Sequence, residues 1–137
     1  MPELAPYVSD SETWAERSKL YRSLLARPET ALFLALDGER LIGYALLVVM
    51  PAEETWVADT WRTGPRVAEV ESISVLPEYR GKGIGSALLD RLEAEIEAHG
   101  VEDVVIGVLP GNTDAIRLYE RRGFRQTWLY LSRFAGR

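Results

Sequence analysis

Strand-like and helix-like segments alternate through the second half of this sequence, and the alternation restricts the folds open to the chain. Three apolar runs and two helical patterns follow one another at residues 67–76, 84–99, 101–111, 113–122 and 124–134. A strand that returns through a helix to the same sheet normally does so by a right-handed crossover with parallel pairing. The second half therefore predicts at least one parallel pair of strands.

The first half predicts a helix followed by a β-hairpin. Residues 11–28 carry apolar side chains at near-helical spacing and end at Pro28. The runs "ALFLAL" and "LIGYALLVVM" then flank Asp37-Gly38, a dipeptide typical of hairpin turns. Because a hairpin pairs its strands antiparallel, we expect an α/β fold with a mixed central sheet and helices on both faces, formed as one domain over residues 1–137.

Composition narrows the possible functions. The formal net charge is -5 and no cysteine is present, so we expect no nucleic-acid or membrane partner, no disulfide and no cysteine-based metal site. The one histidine, His99, precedes Gly100 at a predicted helix end. An imidazole there ordinarily complements the helix dipole, and we expect no metal centre around it. With neither a recognisable leader nor an apolar run of membrane length, the sequence predicts a cytoplasmic protein.

The stretch "YRGKGIGSALL" predicts an anion site. Its glycines lead into a helix start, where backbone N–H groups and the positive end of the helix dipole favour a phosphate. A nucleoside-triphosphate loop would need Ser or Thr after Gly81-Lys82, but Gly83 stands there. A dinucleotide loop counted from Gly81 would need a third glycine where Ser86 stands. A different phosphate carrier is therefore expected.

Two motifs of this chain resemble those of the Gcn5-related N-acetyltransferase (GNAT) family. "RGKGIGS" is similar to the family's R/Q-x-x-G-x-G/A pyrophosphate loop, and "GNTDAIRLYERRGF" is similar to its N-x-x-A-x-x-x-Y-x-x-x-G-F motif. The resemblance extends over residues 70–124. It implies an acyl-CoA-dependent N-acetyltransferase that uses acetyl-CoA as co-substrate. The acetyl group would pass to a primary amine of a small molecule or peptide, by direct attack through a tetrahedral intermediate.

The resemblance also implies roles for individual residues. Glu71 matches the strand glutamate that acts as base, and Tyr119 matches the tyrosine that protonates the departing thiolate. The backbone N–H of Val75 would donate to the acetyl oxygen. The residues expected to contact coenzyme A are Val75, Arg80, Gly81, Lys82, Gly83, Ile84, Gly85, Ser86 and Asn112.

Read from the residues alone, each role has an alternative. Glu69 lies one pleat from Glu71 on the same strand face, so it is a second candidate base or would bind a cationic acceptor; both carboxylates could equally lie on a solvated face. Tyr119 could be a core residue, and Asn112 an ordinary helix N-cap. If turnover is lost, the same motifs describe a non-catalytic module that binds or senses acyl-CoA.

The regions outside the two motifs differ from the family pattern. Only "MPELAPYVSD" precedes the first predicted helix, so we expect a short or missing first strand. "ALFLAL" would then be an unpaired apolar sheet edge, which favours a homodimer formed through this edge or through residues 124–134. Trp56 and Trp61 lie in a loop that either lines an acceptor pocket or covers the sheet.

Overall fold

The structure, a computed structural model, describes residues 10–135. The helices and strands of this part of the chain are α1 Asp10–Leu25, β1 Thr30–Asp37, β2 Arg40–Pro51, β3 Arg66–Val75, α2 Ile84–Ala98, β4 Asp103–Ile106 and α3 Thr113–Arg121. Single 3₁₀ turns occupy Ala52–Glu54, Trp56–Asp59 and Pro77–Tyr79. None of the helices described is long and apolar enough to span a membrane.

The chain groups into two compact units. One comprises Arg22–Gly107 and contains all four strands together with α2. The other comprises the described parts of Met1–Tyr21 and Val108–Arg137 and contains α3. The expectation of one domain over residues 1–137 stays a prediction.

The four strands form one mixed sheet in the order β1-β2-β3-β4. β1 pairs with β2 and β2 pairs with β3 antiparallel, whereas β3 pairs with β4 in parallel through the α2 crossover. The predicted mixed α/β class is confirmed. The hairpin turn lies one residue later than predicted, because Asp37 pairs with Arg40. Gly38 thus takes the first central position, with the positive φ of 60° that a type II′ turn requires there.

The core of the sheet unit lies around β2 and α2. Residues 45–49 of β2 are all buried, and because successive side chains alternate, both faces of this strand are covered. The predicted stripe of α2 is buried at Leu88, Leu92 and Ile96, with Leu89 beside it. Each such side chain contributes about 1.5–3 kcal/mol on burial. Since α2 packs against β2 and β3, the loop that leads into it is held at the end of β3.

Two predicted strands differ from the structure. Residues 124–135 contain no strand, and Trp128, Leu129, Tyr130, Leu131 and Phe134 are exposed. The run of residues 101–111, expected to be a strand buried on both faces, supplies only the half-buried β4. Both differences have the same reason, since apolar and β-branched residues become a strand only where a neighbouring backbone completes the ladder, and β4 finds four partners, Val67 to Val70.

The first strand expected from the family falls within residues 1–9, which lie outside the described part of the chain. Among the strands of residues 10–135, β1 and β4 are the two end strands of the sheet. β1 is the strand that the first half of the sequence places at an edge. Its side chains alternate in exposure, and Leu32, Leu34 and Leu36 are the exposed set. These leucines share one face of β1. The unpaired apolar edge itself stays a prediction, because the strand expected beside β1 falls within residues 1–9.

Candidate active site

The glycine loop has the form of an anion cradle. Gly81 and Gly83 have φ angles of 75° and 81°, which side chains with a Cβ rarely adopt. A Cβ added at Gly81, Gly83 or Gly85 would meet nothing within 4 Å. The space before the first turn of α2 is therefore open, and the glycines keep it so.

The start of α2 is left without the usual side-chain partners. Gly83 is the N-cap, no side chain caps the helix, and its first turn carries no acidic residue. The carbonyl of Gly83 accepts from the N–H of Ala87 at 3.0 Å, so the N–H groups of the preceding residues point out of the helix. Their combined dipole favours a negative ligand at this point.

Two cations belong to the same loop. The Nε of Arg80 donates to the carbonyl oxygen of Val75 at 3.3 Å, which brings the guanidinium back toward the end of β3. Lys82 Nζ lies 5.3 Å from the ring centroid of Tyr79. Together with the helix start, these side chains make a site that suits a phosphate or pyrophosphate.

The β3–β4 ladder stops before β3 does. The parallel pairs run from Val67–Asp103 to Val70–Ile106, whereas the antiparallel ladder on the other side of β3 continues to Val75 opposite Gly43. Within residues 10–135, the β4 side of β3 beyond Val70 is thus not covered by this ladder. An extended chain with amide groups could pair with such an edge.

A β-bulge lies at Glu71. Leu46 of β2 is opposite Ser72, but the next residue, Leu47, is opposite Val70, so Glu71 is the extra residue of β3. Because Leu46 and Val48 share a face, their partners Ser72 and Glu69 share it too. The extra residue moves Ser72 onto the face of Glu69. The shared face expected for Glu69 and Glu71 stays a prediction.

The two carboxylates nevertheless lie near each other. Burial raises the pKa of Glu69, and the negative charge of Glu71 raises it further. A carboxylate whose pKa is raised takes up a proton more readily, which is the property a general base needs. Glu69 and Glu71 are thus close enough in the sheet unit to interact electrostatically. Their catalytic roles stay predictions.

One pair of hydroxyls beside them was not anticipated. Tyr44 Oη and Ser72 Oγ lie 2.8 Å apart, partly buried, on the face that also carries Glu69. The alternation of Ser72 and Ser74 in β3, after Glu69 and Glu71, is the sequence signal for a polar patch here. The face is therefore able to bind a polar or cationic molecule.

Tyr119 and Asn112 belong to the other unit and are described within it. Tyr119 is buried in α3, its ring packs edge-on against Phe124 at 6.0 Å between centroids, and burial raises the pKa of its phenol. Asn112 is the N-cap of α3, and its Oδ1 accepts from the N–H of Ala115 at 3.3 Å. The packing and capping roles are confirmed, and the chemical roles stay predictions.

His99 and the tryptophans complete the predicted set. His99 is the C-cap of α2, its N–H bonds to the carbonyl of Glu95, and its Nε2 lies 3.3 Å from Glu95 Oε1. The structural interpretation of His99 is confirmed. Trp56 and Trp61 are 40% and 45% exposed, which leaves both interpretations of their loop open.

Comparison with known proteins agrees with this geometry. A family model described as "Acetyltransferase (GNAT) family" matches residues 1–124. The N-alpha-acetyltransferase of Sulfurisphaera tokodaii is 38% identical over 103 residues, which is 72% of this chain and 58% of that protein. The mycothiol acetyltransferase of Geodermatophilus obscurus is 38% identical over 93 residues, 67% of this chain and 28% of that protein. The chain thus spans less than two thirds of the length of either relative.

A solved structure gives the same result for the fold. Arabidopsis thaliana NAA60, in complex with a bisubstrate analogue, superposes with a TM-score of 0.69 at 25% identity, covering 81% of this chain and 70% of that one. The family match includes the glycine loop, both carboxylates and α3. The chain belongs to the acetyltransferase (GNAT) family.

Proposed function

We propose that this protein is an acyl-CoA-dependent N-acetyltransferase, which transfers the acetyl group of acetyl-CoA to a primary amine. The observation that carries the proposal is the loop before α2, where three glycines leave open space in front of an uncapped helix start. Open space, an uncapped helix start and two nearby cations together support a pyrophosphate as the ligand. Membership of the GNAT family supports the same cofactor.

In this proposal the loop holds the pyrophosphate and the open edge of β3 holds the arm that follows it. Backbone N–H groups from Gly81 to Ser86 donate to the phosphates, while Arg80 and Lys82 supply positive charge. The edge of β3 between Glu71 and Val75 accepts the amide-containing pantetheine chain, and the N–H of Val75 donates to the acetyl oxygen. Asn112 contacts the same arm, a role that rests on the sequence motif.

The chemistry needs two proton transfers. The carboxylate of Glu71 accepts a proton from the ammonium form of the acceptor, directly or through water, and the neutral amine then attacks the acetyl carbon; Glu69 is the second candidate for this role. The tetrahedral intermediate then collapses, the C–S bond breaks, and the thiolate takes the phenol proton of Tyr119. The raised pKa of Tyr119 keeps the phenol protonated in neutral solution. Its assignment as the acid rests on the sequence motif.

The acceptor is a cationic amine of a small molecule or a peptide. The two carboxylates of β3 and the Tyr44–Ser72 hydroxyl pair support an acceptor that carries positive charge and hydrogen-bonding groups. Two of the relatives are named N-alpha-acetyltransferase and mycothiol acetyltransferase, so their acceptors differ by name. The alternative function is a module that binds acyl-CoA without turnover, because the geometry of the loop by itself supports binding but not catalysis.

Release of free thiol from acetyl-CoA tests this function. The intact protein is incubated with acetyl-CoA and a panel of aminoglycosides, amino sugars, polyamines and peptides with free N-termini. Thiol release that depends on one class of amine supports the enzyme and names its acceptor. Calorimetric binding of acetyl-CoA without release under any amine favours the sensing module, and no binding at all contradicts both.

Partners and location follow as further proposals. Self-association through the β1 edge or through residues 124–135 is supported by the exposed apolar side chains of both segments. A net charge of -5 supports the absence of a nucleic-acid or anionic-membrane partner. Acetyl-CoA as co-substrate supports a cytoplasmic location.

A further inference from the structure

Five side chains form a connected group beside the glycine loop. Tyr79 Oη donates to Asp37 Oδ2 at 2.5 Å, and Arg40 pairs with Glu78 at 2.5 Å. The ring of Tyr79 has Arg40 Cζ at 5.5 Å and Lys82 Nζ at 5.3 Å from its centroid. We call Asp37, Arg40, Glu78, Tyr79 and Lys82 the Tyr79 cluster. It joins the β1–β2 hairpin turn to the segment that leads into the loop.

Hydrogen bonds within the cluster shift the pKa values of three of its members. The hydrogen bond to Asp37 raises the pKa of the Tyr79 phenol. The hydrogen bond with Glu78 raises the pKa of Arg40, while its own backbone N–H and then Arg40 lower the pKa of Glu78. Tyr79 thus stays protonated and donating, and the Arg40–Glu78 pair stays charged.

The position of the cluster in the chain gives it a mechanical consequence. Upstream, the loop is anchored by the ladder, where the N–H of Leu76 donates to the carbonyl of Ile42 at 2.8 Å. Downstream, α2 is anchored by its buried stripe. Between these anchors lie two glycines in the left-handed region, Gly81 and Gly83, which give the backbone wide freedom. The hydrogen bond of Tyr79 adds an attachment to the hairpin immediately before these glycines, next to the Arg40–Glu78 pair.

We propose that Tyr79 is a positioning residue for the cofactor, which holds the glycine loop in its binding shape by tying it to Asp37 in the hairpin and by fixing Lys82. This inference rests on the proposed function. A loop already held in its bound shape loses less conformational freedom when the ligand arrives, so the affinity is higher. The hydrogen bond of Tyr79 to Asp37 is therefore expected to increase the affinity for the cofactor without changing the rate of the chemical step.

Calorimetry with acetyl-CoA and steady-state kinetics on the intact protein test this role. Tyr79→Phe and Asp37→Ala each remove the same hydrogen bond, and each is expected to weaken acetyl-CoA affinity roughly three- to tenfold. The double variant is expected to be no weaker than either single one, because the bond is lost only once. Asp37→Asn keeps an accepting oxygen and should bind within about twofold of the wild type. At saturating acetyl-CoA, kcat and the acceptor KM should stay unchanged.

Tyr130→Phe is the matched control, since Tyr130 is 86% exposed and lies in the other unit. If Tyr79→Phe and Asp37→Ala lower the Tm but bind acetyl-CoA like the wild type, the cluster is only structural and the inference is wrong while the proposed function stands. If the wild type does not bind acetyl-CoA, the proposed function fails and this inference with it. Should Tyr79→Phe not fold, the pair Asp37→Ala and Asp37→Asn decides.

Discussion

Glu69 is a carboxylate whose surroundings oppose its ionisation. It is the ladder partner of Val48 in the β2–β3 pair. Burial raises its pKa, and the negative charge of Glu71 raises it further. Such a position lowers the stability of the folded state once the group is charged, and proteins retain it mainly where it has a use. At the scale of the residue, a buried carboxylate whose ionisation lowers the stability of the folded protein is the clearest indication of the candidate site.

The raised pKa of Glu69 predicts how stability depends on pH. The pKa of Glu69 is higher in the folded than in the unfolded protein, so the protonated carboxyl favours the folded state. This contribution to the free energy of unfolding is complete below the unfolded pKa and is lost as pH rises through the folded pKa. We expect Glu69→Gln to be more stable than the wild type at pH 7, with the difference disappearing near pH 4. Thermal melts across this range measure it, with the exposed Glu102→Gln as control. A pH-independent difference would contradict the assignment.

The pH–rate profile distinguishes Glu71 from Glu69 as the general base. Glu71→Gln is expected to lower kcat about a hundredfold and to remove the acid limb of the pH–rate profile. An acid limb that persists in Glu71→Gln and disappears in Glu69→Gln would move the base to Glu69. Both variants should bind acetyl-CoA as the wild type does.

Tyr119→Phe is expected to lower kcat about a hundredfold with acetyl-CoA affinity unchanged, because the hydroxyl acts only when the thiolate leaves. The ring remains to pack against Phe124, so the melting temperature should change little. Steady-state kinetics and calorimetry measure the two quantities. A variant with unaltered kcat would leave Tyr119 with its packing role alone.

At the scale of the element, the junction of loop and α2 allows one substitution that separates binding from folding. Gly83 has a φ of 81°, so Gly83→Val would strain the backbone as well as fill the cradle. Gly85 lies inside the first turn with open space before it. Gly85→Leu replaces a poor helix former by a good one, and we expect unchanged or higher stability, by up to about 1 kcal/mol.

The same Gly85→Leu variant should lose acetyl-CoA affinity at least about tenfold, because its side chain enters the space for the phosphates. Ala94→Leu adds an equal side chain on an exposed part of α2 and serves as control. Calorimetry measures affinity and thermal melts measure stability. A folded Gly85→Leu protein with wild-type affinity would place the pyrophosphate elsewhere.

Elements with a local cause were predictable from the sequence, and those with a distant cause were not. The apolar stripe of α2 and the glycines before it determine the helix and the loop from neighbouring residues alone. The bulge at Glu71 depends on how β3 pairs with β2, and nothing in "VESISV" encodes that pairing. Residues 124–135 have strong strand propensity but form no strand, because propensity supplies no partner. The Tyr79 cluster likewise joins residues far apart in sequence.

At the scale of the whole molecule, the exposed edge of the sheet bears on assembly. β1 is one of the two end strands among residues 10–135, and its side chains Leu34 and Leu36 are 54% and 58% exposed. Edge strands of soluble proteins are normally short, charged or covered, because an open ladder pairs readily with another chain. The tail around Leu129 offers a second exposed apolar segment. Either surface would suit a second copy of this chain.

We therefore expect the protein to self-associate, and sedimentation velocity at several concentrations to show a dimer that grows with protein concentration. Leu34→Lys adds a charge to the β1 edge and should shift the equilibrium to monomer if that edge carries the contact. Leu129→Lys tests the tail in the same way. Only one of the two should act, since an isologous dimer uses one surface of each copy. A wild type that remains monomeric at high micromolar concentration would contradict self-association, and equal effects of both variants would contradict a single interface.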